Sequence, residues 1–194
     1  FLTCSAYKFF GPHVGIAYIA PEWLQTLKPY KVEPATNEGP GRFETGTQSF
    51  EGLAGVIAAV KYLSQWGKSN ASLRERLVDS FKQFNQHESA ISERFLSRLS
   101  ELEGVKLFGK LEANSELRTP TFALTFENHS PEFIAKKLGE RNICVWNGHF
   151  YALGLVRQLD LEASGGVVRI GFMHYNTLEE VDILFDELKI ILDQ

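Results

Sequence analysis

Cysteine and methionine are scarce: Cys4, Cys144 and one methionine in 194 residues. Two thiols make no disulfide framework, so a reducing, cytoplasmic setting is expected. Cysteine and histidine spacings of the zinc type are missing, and no metal site is expected. No apolar run is long enough to span a bilayer, so no membrane partner is expected. A basic cluster is missing too; with a net charge of −4, this argues against a nucleic-acid surface. There is no internal repeat and no low-complexity segment. What is there, 44% hydrophobic and 23% charged residues, matches a globular protein of one ordinary or two small domains.

Strand-like and helical stretches alternate, which predicts a layered α/β fold. Phe1–Cys4 and Val14–Ile19 read as buried strands, and Pro21 opens a short helix through Leu24 and Leu27. Residues 28–41, with three prolines and two glycines, predict an irregular loop. Leu53, Val56, Ile57, Val60, Tyr62 and Leu63 predict a mostly buried helix with Thr47 at its N-cap. Lys68-Ser69-Asn70 marks a boundary between domains at 1–67 and 68–194. Beyond it lies a long helix from about Ser72, with Phe81, Phe84, Ile91 and Phe95 as core and His87 at the surface. Strands follow at 105–108, 119–126, 142–146 and 167–172. Ser130-Pro131 and Thr177 to Glu180 open helices by their caps, and a short helix falls within 148–159. Phe1 falls inside a predicted core strand, an unusual place for a domain to open, so an upstream part is expected.

Three stretches carry candidate chemistry. Lys8 ends the first apolar run between aromatics, before Gly11-Pro12. Partial desolvation there would disfavour the ammonium form and free the amine to attack a carbonyl. A solvated strand-end charge is the plain alternative. Gly46-Thr47 precedes a helix whose free N–H groups and dipole suit a phosphate, although a capped helix after a turn explains the same residues. Arg169 sits in an apolar strand, where a guanidinium either joins a structural ion pair or awaits an anion such as a carboxylate. Residue type alone favours the ion pair.

Ser5-Ala6-Tyr7-Lys8, Phe43-Glu44-Thr45-Gly46-Thr47, Val168-Arg169-Ile170-Gly171 and the run from Tyr175 to Asp182 together resemble the class V aminotransferases, in order and spacing. The closest branch looks like the cysteine desulfurase-like proteins. The resemblance covers nearly the whole chain. It implies the C-terminal part of a fold-type-I transferase or lyase: a remnant of the large-domain sheet plus a small α/β sandwich domain. It implies pyridoxal 5′-phosphate as cofactor, joined to Lys8 as an internal aldimine, with Ser5, Tyr7, Gly46 and Thr47 near the phosphate. Thr47 would reach the neighbouring subunit's cofactor, which implies a homodimer with shared sites. Arg169 would hold the carboxylate of an amino-acid substrate, in a pocket that His149 and Tyr151 help to line.

The resemblance has two departures. The desulfurase loop Arg-x-Gly-His-x-Cys-Ala corresponds here to Trp146-Asn147-Gly148-His149-Phe150-Tyr151-Ala152. Tyr151 stands where the persulfide-forming cysteine belongs, and tyrosine cannot carry sulfur. Cys144 and Cys4 are expected to be buried structural thiols. The groups that hold the cofactor ring precede the lysine in this family, so this chain alone is expected not to hold the cofactor productively. A non-catalytic folding or interaction domain without cofactor is the alternative.

Overall fold

The computed structural model describes residues 1–193. They divide into two compact units, Phe1–Ser80 and a second from Phe81 onward.

In the first unit, β1 (Leu2–Ser5) pairs antiparallel with β2 (Gly15–Tyr18), setting Leu2 opposite Tyr18 and Ser5 opposite Gly15. A tight 3₁₀ turn, Ala6–Phe9, joins β1 to the returning chain and buries Ala6 completely. The Ala6 N–H donates to the Val14 carbonyl at 2.9 Å, and the Gly11 N–H donates to the Ala6 carbonyl at 2.9 Å. A Cβ at Gly11 would lie 2.8 Å from the Ala6 Cβ, so the chain can fold back over Ala6 only with glycine there. Both strands are largely exposed, contrary to the buried strands expected, because a two-stranded sheet cannot cover its own faces.

Helix α1 (Pro21–Thr26) starts on its proline, as expected. The Arg42 guanidinium donates to the carbonyls of Gln25 (3.2 Å) and Leu27 (2.7 Å), tying the irregular loop to the end of α1. Helix α2 (Phe50–Leu63) is capped by Ser49, whose Oγ accepts the Gly52 N–H at 3.2 Å. Thr47 lies two residues short of the cap, which corrects the expected position. Ser49 wins because residue 52 lacks a side chain: a Cβ there would lie 2.7 Å from the Ser49 Oγ. Only Gly52, Ala59 and Leu63 of α2 are buried, while Phe50, Leu53 and Ile57 form an exposed apolar stripe, so the helix is not mostly buried.

Helix α3 (Leu73–Leu99) runs from the first unit into the second. Phe84 and Phe95 are buried as expected, but Phe81 is exposed. In the second unit, β3 (Val105–Phe108), β4 (Thr121–Phe126), α4 (Pro131–Gly139), β5 (Trp146–Gly148), α5 (Leu153–Gln158), β6 (Val167–Gly171) and α6 (Leu178–Leu192) follow in order. The four strands form one antiparallel sheet in the order β3-β4-β6-β5. Phe122, Leu124 and Phe126 from β4 and Val168 and Ile170 from β6 point to one face. There they meet Ile91 and Phe95 of α3, Ile134 and Leu138 of α4, and the stripe Val181, Leu184, Phe185, Leu188 and Ile191 of α6. Phe95 lies at the centre, its ring 3.6 Å from Phe122 and edge-on to Phe185 at 4.9 Å. His87, read as a surface residue, is half-buried, and its Nε2 bonds to the Asn176 carbonyl at 2.7 Å.

The strand expected at 142–146 is displaced: the ladder covers only Trp146–Gly148, although burial still alternates along 143–146. Thr177 and Glu180 form the expected capping box, and Ser130 caps α4.

Arg94 and Arg98 of α3 clasp Asp182 of α6 at 2.8 and 2.9 Å. The hydrogen bond from Arg94, helped by Arg98, holds the Asp182 carboxyl below its ordinary range. A depressed folded pKa adds stability above the unfolded value, and that stability is lost as pH falls through the folded pKa. The melting temperature should therefore drop on acidification below about pH 4, and less steeply in Asp182→Asn. Parallel slopes in the two proteins would contradict this.

Candidate active site

The first unit sets Lys8 on the 3₁₀ turn whose floor is the buried Ala6. The Ala6–Val14 and Ala6–Gly11 hydrogen bonds fix that floor, so the backbone under Lys8 is well held. The side chain itself is exposed. The desolvation expected at a strand mouth is therefore not supplied by this unit, because the turn lifts Lys8 off the sheet. Ser5 ends β1 as the residue before the turn, and its hydroxyl makes no cap bond. Tyr7 is exposed and stacks on His13 with ring centres 5.0 Å apart. Gly46 has φ +148°, a conformation that favours glycine, with open space where a Cβ would stand; Thr47 beside it is exposed.

Pyridoxal 5′-phosphate asks for a primary amine and for hydroxyl or N–H donors toward its phosphate. Lys8 with the hydroxyls of Ser5 and Tyr7 on one turn, and Gly46 with Thr47 on the loop before α2, are residue types that fit such a group.

In the second unit, the alternation along β6 turns Val168 and Ile170 into the core and Arg169 to the opposite, exposed face. The apolar residues beside Arg169 in sequence face the other side of the sheet, as the period of two requires. Its register partners are Ala123 of β4 and Trp146 of β5. No carboxylate pairs with its guanidinium among the described residues, so the structural ion pair that residue type favours is not formed. The guanidinium instead lies over the Phe150 ring, 4.3 Å from its centre.

Trp146, Asn147, Gly148, His149, Phe150, Tyr151 and Arg169 line one open hollow of about 510 Å³. The three residues expected to bind substrate, Arg169, His149 and Tyr151, thus come together. The stretch 149–152 is a tight turn: the Ala152 N–H donates to the His149 carbonyl at 2.7 Å. Its two central residues, Phe150 (φ 51°) and Tyr151 (φ 62°), both have left-handed backbone. Positive φ at both central positions defines a type I′ turn, normally built from Asn and Gly. The His149 Nδ1 accepts the Tyr151 N–H at 3.2 Å, and the Tyr151 side chain is fully exposed.

Sequence reasoning gave Phe150 no role. The signal was there: two bulky aromatics follow Gly148-His149, ahead of a short helix, where a turn would favour small residues. Cys4 and Cys144 are both free and exposed, which corrects the buried thiols expected. Cys144 lines a different hollow from Arg169, formed with Ile170, Phe172 and Leu184 on the side facing α6. Among the described residues no cluster of side chains suits a metal ion, and no helix is long and apolar enough to cross a membrane.

Residues 1–184 match the family described as aminotransferase class-V. The chain is 27% identical to a probable cysteine desulfurase 1 of Mycobacterium leprae, aligned over 100% of this chain and 30% of that protein. It is 28% identical to a cysteine desulfurase of Klebsiella pneumoniae, over 95% of this chain and 43% of the other. The chain thus spans less than half the length of these relatives. Among solved structures, the apo cysteine desulfurase from Thermococcus onnurineus NA1 shares the fold with a TM-score of 0.80 at 24% identity, over 98% of this chain and 46% of that one. The mixed α/β architecture is therefore that of the C-terminal part of a fold-type-I protein, and the chain, similar to these cysteine desulfurases, belongs to the class V aminotransferases.

Proposed function

We propose that this chain is the C-terminal part of a pyridoxal-phosphate-dependent enzyme that acts on an amino acid, with Lys8 as its catalytic lysine and Arg169 as its carboxylate clamp. The observation that carries this is the Arg169 guanidinium, which has no acidic partner among the described residues and shares its hollow with His149 and Tyr151. A free guanidinium at the rim of an aromatic hollow suits a small carboxylate better than it suits a structural role. When bound, pyridoxal 5′-phosphate supplies a sink for the negative charge left at the substrate's α-carbon. Lys8 would hold the group, and its amine would move a proton at the substrate's α-carbon as general base and acid. Ser5, Tyr7, Gly46 and Thr47 supply donors for the phosphate. Arg169 fixes the substrate so that the bond to be broken keeps its alignment.

Tyr151 at the position of the family's sulfur-carrying cysteine argues against persulfide formation. Transamination, elimination or epimerisation remain open to the same lysine and arginine. A homodimer with shared sites is part of this proposal: Thr47 is exposed, and the Phe50, Leu53 and Ile57 stripe beside it suits a covered face. A cytoplasmic setting is in keeping with two free thiols.

The test is borohydride reduction of the full-length protein loaded with cofactor, followed by peptide mapping. The expected result is one stable adduct on Lys8, absent from Lys8→Ala. An adduct on another lysine would remove Lys8 from the site.

A further inference from the structure

We propose that Phe150 is a positioning residue for Arg169: its ring takes the place of an acidic partner and leaves the guanidinium's hydrogen-bonding edge open to the incoming carboxylate. This rests on the reading of Arg169 as a carboxylate clamp and adds what holds the clamp in place.

A guanidinium offers two kinds of contact. Its five N–H groups lie in the plane and bind oxygen edge-on; its flat faces bind aromatic rings. A carboxylate partner from the protein would occupy the edge, and a substrate carboxylate would have to displace it. A ring under the face restrains the side chain and competes for no donor. In this chain the ring is present at 4.3 Å, and no carboxylate pairs with Arg169 among the described residues.

The backbone under Phe150 argues for a role beyond packing. Phe150 and Tyr151 both have positive φ, and the turn is closed by the Ala152 to His149 hydrogen bond. Bulky residues in left-handed backbone are strained, and such strain persists where the surroundings or the function hold it. Asparagine or glycine would relax this turn but would leave Arg169 without its platform. The strain thus retains a ring that the turn itself does not favour.

The two effects can be separated with four variants of the full-length protein, Phe150→Asn, Phe150→Leu, Phe150→Trp and Arg169→Lys. The probes are L-alanine and ethylamine, which is alanine without its carboxylate. Phe150→Leu and Phe150→Asn should each weaken L-alanine binding about two- to fivefold, the scale of a lost exposed cation–π contact, and leave ethylamine unchanged. Phe150→Trp should restore binding to within about twofold, since tryptophan is the better platform. Phe150→Asn should melt no lower than the unmodified protein. In the NMR spectrum of the 194-residue chain, the Arg169 Nε–H signal should lie upfield through the ring current and return to the ordinary range in Phe150→Leu. Unchanged L-alanine binding in Phe150→Leu, with binding lost in Arg169→Lys, would overturn the positioning role and leave the clamp standing. Unchanged binding in Arg169→Lys would overturn the clamp and this inference with it. A Phe150→Asn protein that melts lower and binds both probes more weakly would make Phe150 a residue of the fold only.

Discussion

Arginine in place of Lys8 should lower turnover of the full-length protein by about 10²- to 10⁴-fold, the range for losing a positioned acid–base group. The loss should be chemical and not structural. Lys8 is exposed, and the turn beneath it is fixed by the buried Ala6 and by main-chain hydrogen bonds that no residue-8 side chain enters. Exposed substitutions of this kind usually move stability by less than about 0.5 kcal/mol. Arginine keeps the positive charge but stays protonated at any working pH and never offers a free amine. Turnover and melting temperature measured on the same preparation check the expectation. Turnover within threefold of the unmodified protein would sink the catalytic role of Lys8, and a large drop in melting temperature would make it a structural residue.

Phe95→Ala should destabilise the second unit by about 3–5 kcal/mol, the usual cost of removing a buried phenylalanine from a packed core. Phe95 is fully buried, stacks on Phe122 and meets Phe185 and Phe172 edge-on, so α3, α6 and β4 all lose contacts together. The cavity is lined by rings whose strands and helices cannot easily collapse into it. Such a loss is comparable with a small domain's whole stability, so the unit should populate unfolded forms at ambient temperature. Phe95→Leu should lose clearly less, because most of the volume remains. Denaturant unfolding followed by far-UV circular dichroism measures both, and a loss under about 1 kcal/mol for the alanine variant would contradict this picture of the core.

How much of the molecule was legible in the sequence depends on whether a segment finds its cover within the chain. In the second unit it does. The alternation of Phe122, Leu124 and Phe126 and the helical stripe from Val181 to Ile191 meet each other, so periodicity predicted both the elements and their buried faces. In the first unit, Leu2, Phe50, Leu53 and Ile57 have the composition of core but are exposed, because apolarity predicts a wish for cover and not its source. Two-residue alternation likewise detected extended chain at 143–146, but a strand also needs a ladder, and β6 pairs only from Trp146. The cap of α2 turned on a residue absent in side chain: Ser49 caps because Gly52 leaves room, a relation three positions apart that a search for the first threonine misses. For the site, the apolar neighbours that suggested a buried Arg169 face the other side of the sheet, and the two-residue alternation exposes the arginine. The aromatic pair in the turn marked Phe150 as unusual, but its contact with Arg169 crosses from a turn to a strand, and no sequence pattern names that partner.

Gly148 and Gly166 meet main chain to main chain: a Cβ on Gly166 would stand 2.3 Å from the Gly148 carbonyl oxygen. The spacing between the arginine-bearing strand and the root of the aromatic turn is therefore set by peptide groups and is indifferent to the residues at 149–151. Those three positions behave as an exchangeable cassette on a fixed mount. Drift or a combinatorial library there can recast what the hollow admits and how firmly the guanidinium is held, while the mount keeps its dimensions; any side chain at 166 would wedge the mount itself apart.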